Sequence, residues 1–335
     1  MRVYNVIDLS KFIFSFFIVL IHCEAYAILD EKICRLAVPC FFIFSGFFLY
    51  KGVAKPDGGI QYLNSYLGKL VRLYLLYTII YLPLTIYGAL PTIYQYGFEG
   101  FVKKIVVFFR NVCFVGENYM SWPLWYLLAL IVAIFMIKCF LKRKIQLLYI
   151  FFISLTLTLI GLYVDYLNNS EGLPSFVEFV LKIYNSVFVT TRNGIFVGLF
   201  YVTVGMIISK YELFITTNKL LILILFVISL SGYYFNLILG LNIFASVLVC
   251  VLLMCNGLFK EMNNNLAKTF RKMSTVVYFF HMYFIFIFSN LFYNIPREKG
   301  IMIALISFVS VALLGLLIIK LSQQKKFSFL KYLLT

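Results

Sequence analysis

Residues 8–48, DLSKFIFSFFIVLIHCEAYAILDEKICRLAVPCFFIFSGFF, contain two apolar runs, each about long enough to cross a bilayer and interrupted by a few polar groups. The interruptions are patterned. Asp8, Lys11, Ser15 and His22 recur at spacings of three, four and seven, so a helix presents them on one face. Lys11 and His22 are eleven residues apart, roughly 16 Å along that face at 1.5 Å per residue. The expected helix carries a cation near its start and an imidazole near mid-membrane. An ionisable group at that depth is costly and reads as functional by default.

The rest of the chain extends this pattern. Of its 335 residues, 63% are hydrophobic and 13% charged, with a mean hydropathy of +0.97. A soluble domain carries about a quarter charged residues, so this composition describes an integral membrane protein. The net charge of +16 does not point to nucleic acid, because the basic residues are scattered in short loops between apolar runs. That is how a polytopic protein sets its orientation. The first apolar run is too long for a signal peptide and ends without a small-residue cleavage site, so it reads as a retained span. Seven cysteines without paired CxxC spacing suggest neither a disulfide framework nor a metal site.

The expected fold is all-α: a polytopic membrane helix bundle of about ten transmembrane helices. The spans are read over 11–29, 33–51, 68–90, 122–141, 145–165, 192–209, 217–235, 237–258, 275–293 and 300–320. An even count puts both termini on one side, and most of the 29 Lys and Arg fall there, so both termini are expected in the cytoplasm. A single domain is expected over 1–335, with a bundle to residue 321 and a basic tail over 322–335. Residues 91–121 contain FVKKIVVFFRNV, with Lys103, Lys104 and Arg110 at amphipathic spacing, and read as an interfacial helix. Residues 166–191 contain a second candidate of this kind.

Both histidines fall inside expected spans. His22 has two readings: a general base, since neutral imidazole takes a proton from a hydroxyl near neutral pH, or a hydrogen-bond staple between helices. Glu24, two residues on, points away from it along a helix and is free to reach a partner on another span. His281, a few residues into the ninth span, reads as structural or as a cavity wall. Lys69 and Arg72, three apart at the start of the third span, suit a phosphate-bearing ligand or ordinary positive-inside anchoring. Trp122, Trp125 and Tyr126 sit just after Glu117. They read as an aromatic belt or as a sugar-stacking wall beside a carboxylate. Arg192 leads a glycine-spaced helix and faces either a cavity or the headgroups.

Taken together, these residues resemble the acyltransferase-3 family of integral membrane acyltransferases along essentially the whole chain. The resemblance is carried by Asp8, Lys11 and His22, by LAVPCFFIFSGFFL (36–49), and by the Lys69–Arg72 pair. WPLWYLLAL (122–130), RNGIFVGLFYVTVG (192–205) and VVYFFHM (276–282) follow in the family's order. The resemblance implies transfer of an acyl group, often acetyl, from cytoplasmic acyl-coenzyme A to a hydroxyl of an extracytoplasmic cell-envelope glycan or lipid-linked sugar. Acyl-coenzyme A is then a donor substrate, with no tightly bound cofactor, in a bacterial cytoplasmic (inner) membrane. It implies His22 as the catalytic histidine, Lys11, Lys69 and Arg72 as donor-binding cations, and Ser45, Gly46 and Phe47 as the SGF element. Glu24, Glu117, Trp122, Tyr126, Arg192 and His281 remain acceptor or cavity candidates. The family usually has arginine where this chain has Lys11, which keeps the charge and loses the bidentate fork. The fold also resembles the membrane region of vancomycin-resistance serine racemases. That keeps open a second class: a serine transporter or a non-enzymatic membrane anchor.

Overall fold

The computed structural model describes residues 4–234, 240–259 and 262–334, and every regular element among them is helical. The chain runs through α1 (Asn5–His22), α2 (Glu31–Arg35), α3 (Ala37–Val53), α4 (Gly59–Ile80) and α5 (Leu82–Arg110). A π-helical turn over Asn111–Val115 leads to α6 (Leu124–Lys142), α7 (Leu147–Asn168) and α8 (Ser175–Phe188). A second π-helical turn, Gly194–Gly198, opens α9 (Leu199–Lys210), followed by α10 (Glu212–Thr217) and α11 (Lys219–Tyr234). Then come α12 (Gly240–Cys255), α13 (Asn264–Tyr293) and α14 (Ile301–Ser322).

Among the described residues, seven helices are long and apolar enough to cross a membrane, and the bent pair α4–α5 makes eight. The expected spans over 192–209 and 217–235 are helical as Gly194–Lys210 and, among the described residues, Lys219–Tyr234, both apolar and shorter than the seven. Residues 235–239, which the expected spans over 217–235 and 237–258 include, lie outside the described residues. The 50° bend between α4 and α5 falls at Tyr81, where Pro83 in the first turn of α5 has no N–H to continue the preceding helix.

The chain packs as two units. The first takes the N-terminal residues up to Tyr50 together with the chain from Gly205 onward. Here α1 and α14 both pack against α13, and α1 also touches α14. Phe12 meets Phe270 of α13 at 5.2 Å and Phe308 of α14 at 5.7 Å between ring centroids. The contacts advance together along α1 and α13, which run parallel, while α14 returns antiparallel. Asn5 donates its side-chain amide to the carbonyls of Phe259 and Met262 just before α13, each at 3.0 Å. The Gly300 N–H donates to the Cys23 carbonyl at the other end of α1.

The SGF element belongs to this packing. Phe47 is fully buried, and the Tyr4 ring stands edge-on to it at 5.1 Å. Tyr4 in turn donates its hydroxyl to the buried Glu212 carboxylate at 3.0 Å. Ser45 bonds back to the Phe41 carbonyl of its own helix at 2.9 Å, and Gly46 is buried. The close approach comes from α9, where a Cβ on Gly205 would lie 2.1 Å from the Ile43 carbonyl and 2.8 Å from the Phe47 nitrogen.

The second unit is Lys51–Val204. The helix expected within 91–121 is the second limb of α5, which continues in sequence from residue 82 and changes direction at Gly97. Gly97 has φ 56° and ψ −131°, a region essentially closed to residues with a Cβ. The helix expected within 166–191 is α8, and the basic tail carries a short 3₁₀ segment over Lys325–Leu333.

The Gly205 contact is with backbone, which cannot move aside as a side chain would. Gly205→Ala is therefore expected to destabilise the first unit by about 1–3 kcal/mol, lowering the thermal midpoint of the protein in detergent. An unchanged midpoint would show that α3 and α9 are not in the close contact described.

Candidate active site

The polar face of α1 exists, and each of its members has found a neighbour within the first unit. Asp8 is buried, with Arg271 of α13 at 3.8 Å. The Lys11 ammonium sits over the Phe48 ring at 5.0 Å and the Phe44 ring at 5.9 Å, both on α3. A point charge over aromatic faces is attracted by their quadrupoles and needs no fork geometry. Ser15 is fully buried and donates to the Phe12 carbonyl at 2.7 Å, so it is satisfied within its own helix.

His22 is the last residue of α1, and this corrects the expected mid-span position. The helix begins at Asn5 and ends at His22, where the sequence reading placed the span over 11–29. The imidazole ring lies 5.1 Å from that of His281, centroid to centroid, at an interplanar angle of 35°. His281 is fully buried on α13. It too is displaced from expectation: α13 starts at Asn264, so His281 lies past the middle of a 30-residue helix and not near its beginning.

The His281 Nδ1 is 3.0 Å from the Val277 carbonyl. A carbonyl only accepts, so this nitrogen carries the proton and Nε2 of the neutral ring is left as an acceptor. Nε2 is buried with no hydrogen-bond partner among the described residues. Leaving a buried polar atom unpaired costs about 1–3 kcal/mol, and here that atom belongs to the ring beside His22.

The end of α1 is clamped from the segment before α14. Arg297 Nε donates to the His22 carbonyl at 2.9 Å, placing a cation at the negative end of the helix dipole. Glu24 leaves the helix at φ 49° and takes Lys299 at 2.6 Å and Arg297 at 3.7 Å. Glu24 thus serves the clamp; it lies past the end of α1, so the direction read from a continuing helix does not apply to it.

In the second unit, Lys69 and Arg72 are exposed on α4. They lie well inside that helix, which starts at Gly59 and not next to them as the sequence suggested. Between the loop before α6 and the two limbs of α5 is a cavity of about 350 Å³. It is lined by Gly88, Lys104, Arg110, Glu117, Asn118, Tyr119 and Trp122 among others. Arg192 bonds Glu117 at 3.1 Å and stacks its guanidinium 4.7 Å from the Trp125 ring. Burial raises the Glu117 carboxyl above its ordinary value, and the Arg192 charge opposes that shift.

Two groupings are therefore present, one in each unit: His22 with His281, and Glu117 with Trp122 and Arg192. Tyr126 is buried and does not line the cavity. Sequence reasoning missed Arg271, Arg297 and the cavity-lining role of Lys104 and Arg110. The first two looked like ordinary loop charges, and the last two like one face of an interfacial helix.

A sequence model of the acyltransferase-3 family, described as an acyltransferase domain, matches residues 4–320. The chain belongs to this family. Curated proteins similar to it include an amino-acid racemase of Enterococcus faecalis, 28% identical over 62% of this chain and 28% of the relative. A serine/alanine racemase of Enterococcus gallinarum is 29% identical over 61% of this chain and 29% of its own length. A second amino-acid racemase of Enterococcus faecalis is 27% identical over 67% of this chain and 32% of the relative. The chain spans less than a third of the length of these racemases. No solved structure is significantly similar to it.

The Glu117 shift has a sign that can be measured. A carboxyl raised in the folded state favours folding most below its unfolded value, 4.5, and loses that contribution as pH rises through its folded value. The thermal midpoint of the wild type, relative to Glu117→Gln, is expected to fall between pH 4 and pH 7. A rise over that interval would mean that the Arg192 charge outweighs desolvation.

Proposed function

We propose that the chain is a membrane O-acyltransferase that moves an acyl group, in the simplest case acetyl, from acyl-coenzyme A to a hydroxyl of a cell-envelope glycan or lipid-linked sugar. The observation that carries this reading is the pair of neighbouring imidazoles, half-buried His22 at the end of α1 and fully buried His281 on α13, in a chain of an acyltransferase family. His22 acts as general base. It takes the proton of the acceptor hydroxyl as the oxygen attacks the thioester carbonyl. The tetrahedral intermediate then collapses with cleavage of the C–S bond, and the imidazolium returns the proton to the departing coenzyme A sulfur. His281, held by its own helix backbone, keeps an acceptor nitrogen beside that ring.

Lys69 and Arg72 are assigned to the phosphates of coenzyme A. Two cations three residues apart on an exposed helix face suit that ligand, Arg by its fork and Lys as a point charge. Lys11 is assigned with them from the family resemblance. The cavity beside Glu117 and Trp122 is the acceptor candidate on the strength of its own lining. The protein is placed in the bacterial cytoplasmic membrane with both termini inside, supported by the excess of basic residues expected there.

The racemase names of the relatives favour one second reading, in which the chain handles serine or another amino acid without acyl transfer. The two readings separate in one assay. Purified protein should consume acetyl-coenzyme A in the presence of envelope glycan, and His22→Ala should lose about 10²–10⁴-fold of that rate. Equal turnover by the two proteins would remove His22 from catalysis. Serine flux into vesicles without any requirement for acyl-coenzyme A would support the second reading. Coenzyme A should raise the thermal midpoint of the wild type, because a ligand that binds only the native state stabilises it. Lys69→Ala and Arg72→Ala should need higher coenzyme A concentrations for the same shift.

A further inference from the structure

The cavity in the second unit is built by α5 turning back on itself. Gly97 breaks the helix at φ 56° and ψ −131°, so Thr85, Gly88 and Ala89 of the first limb, Lys104, Val107 and Phe108 of the second, and Asn111 of the π-helical turn that follows it line one space. Each set falls at helical three- and four-residue spacing. The loop before α6 closes it with Glu117, Asn118, Tyr119 and Trp122.

The charges in this space are not balanced. Glu117 is met by Arg192, which stacks on Trp125 and does not itself line the cavity. Lys104 and Arg110 line it, and among the described residues no carboxylate pairs with either. Arg110 is held in place by neutral acceptors. Its Nε and Nη2 donate to Asn111 Oδ1 at 3.0 and 2.8 Å, and its Nη1 donates to the Ser186 carbonyl at 3.3 Å. Asn111 in turn donates to Asn118 Oδ1 at 3.2 Å. A guanidinium has five N–H donors, so two remain for a ligand. A cavity with two cations and one already neutralised carboxylate selects an anion. Tyr119 and Trp122 line the same space, and aromatic side chains are the kind of wall against which the C–H face of a pyranose packs.

We propose that this cavity binds a phosphate-bearing sugar, with Lys104 and Arg110 on the phosphate and Trp122 and Tyr119 against the ring. The inference rests on the acceptor reading of the cavity and narrows the acceptor to a sugar phosphate or diphosphate, free or lipid-linked. A free amino acid fits less well, since the Glu117 charge that would hold its ammonium is occupied by Arg192. The volume of about 350 Å³ lies at the small end of ligand sites, which suits a sugar phosphate better than the whole of coenzyme A.

The test is a binding measurement on the full chain in detergent, independent of any acyl transfer. The ligands are a polyprenyl-diphosphate-linked N-acetylhexosamine, the soluble hexosamine 1-phosphate, the unphosphorylated sugar, inorganic phosphate, coenzyme A and serine. A phosphorylated sugar is expected to bind at least tenfold more tightly than both the unphosphorylated sugar and inorganic phosphate. Lys104→Gln should reduce that preference at least fivefold, and Lys103→Gln, next to it but outside the cavity, should leave it intact. Arg110→Gln should act like Lys104→Gln. If that variant does not fold, Lys104→Gln alone carries the test. Tighter binding of the polyprenyl form identifies a lipid-linked source, and equal binding a soluble one. The proposal is overturned if the neutral sugar or inorganic phosphate binds as well as the phosphosugar, or if coenzyme A or serine displaces it competitively from this cavity. Because no turnover is read, loss of acyl transfer without loss of phosphosugar binding would count against the acyltransferase reading and not against this site.

Discussion

Helix α1 is the element on which the first unit depends, because it must bury charge in an apolar setting. A carboxylate, an ammonium and an imidazole on one helical face are each expensive in hydrocarbon. Each is met by a different neighbour: Asp8 by Arg271, Lys11 by the Phe44 and Phe48 rings, and His22 by His281. Those partners come from α13 and α3, so their positions are tied to the register of α1. The far end is tied as well, by Arg297 on the His22 carbonyl and by the Gly300 N–H on the Cys23 carbonyl. The rotation and height of the His22 ring thus follow from contacts at both ends of its helix.

The SGF element has a structural place in the same arrangement. Phe47 is buried beneath Tyr4, and Gly205 lies against the backbone of the same helix turn. Neither observation calls for a ligand. The departure at Lys11 has a similar local explanation, since an ammonium over two phenyl rings does not use the planar fork that arginine would supply.

Much of this was readable before any coordinates. The all-helical membrane class followed from apolar run length, and the shared face of Asp8, Lys11 and His22 from the helical period. The grouping of Glu117 with Trp122 was visible as local polarity beside the only two tryptophans, whereas Arg192 joins it only through the fold. What escaped reading had physical causes. The first turns of α13 carry Lys268, Arg271 and Lys272, which a hydropathy reading assigns to a loop. Moving that boundary to Asn264 places His281 past the middle of the helix. Gly97 is one small residue within a long apolar stretch, and nothing in composition separates a glycine that packs from one that reverses the chain. The facing of His22 and His281 links residues 259 positions apart in sequence, a separation that no local pattern encodes.

The turn at Gly97 has a consequence for how such a protein can change. Because the helix doubles back, nearly all of the cavity wall is drawn from one uninterrupted stretch, 85–122, with Val189 as the outlying contribution. The histidine pair lies in the other unit and draws on residues outside that stretch. The cavity and the histidine pair therefore draw on separate segments of the chain. A substitution or exchange within one short segment can reshape the cavity without altering α1, α13 or the clamp at Arg297.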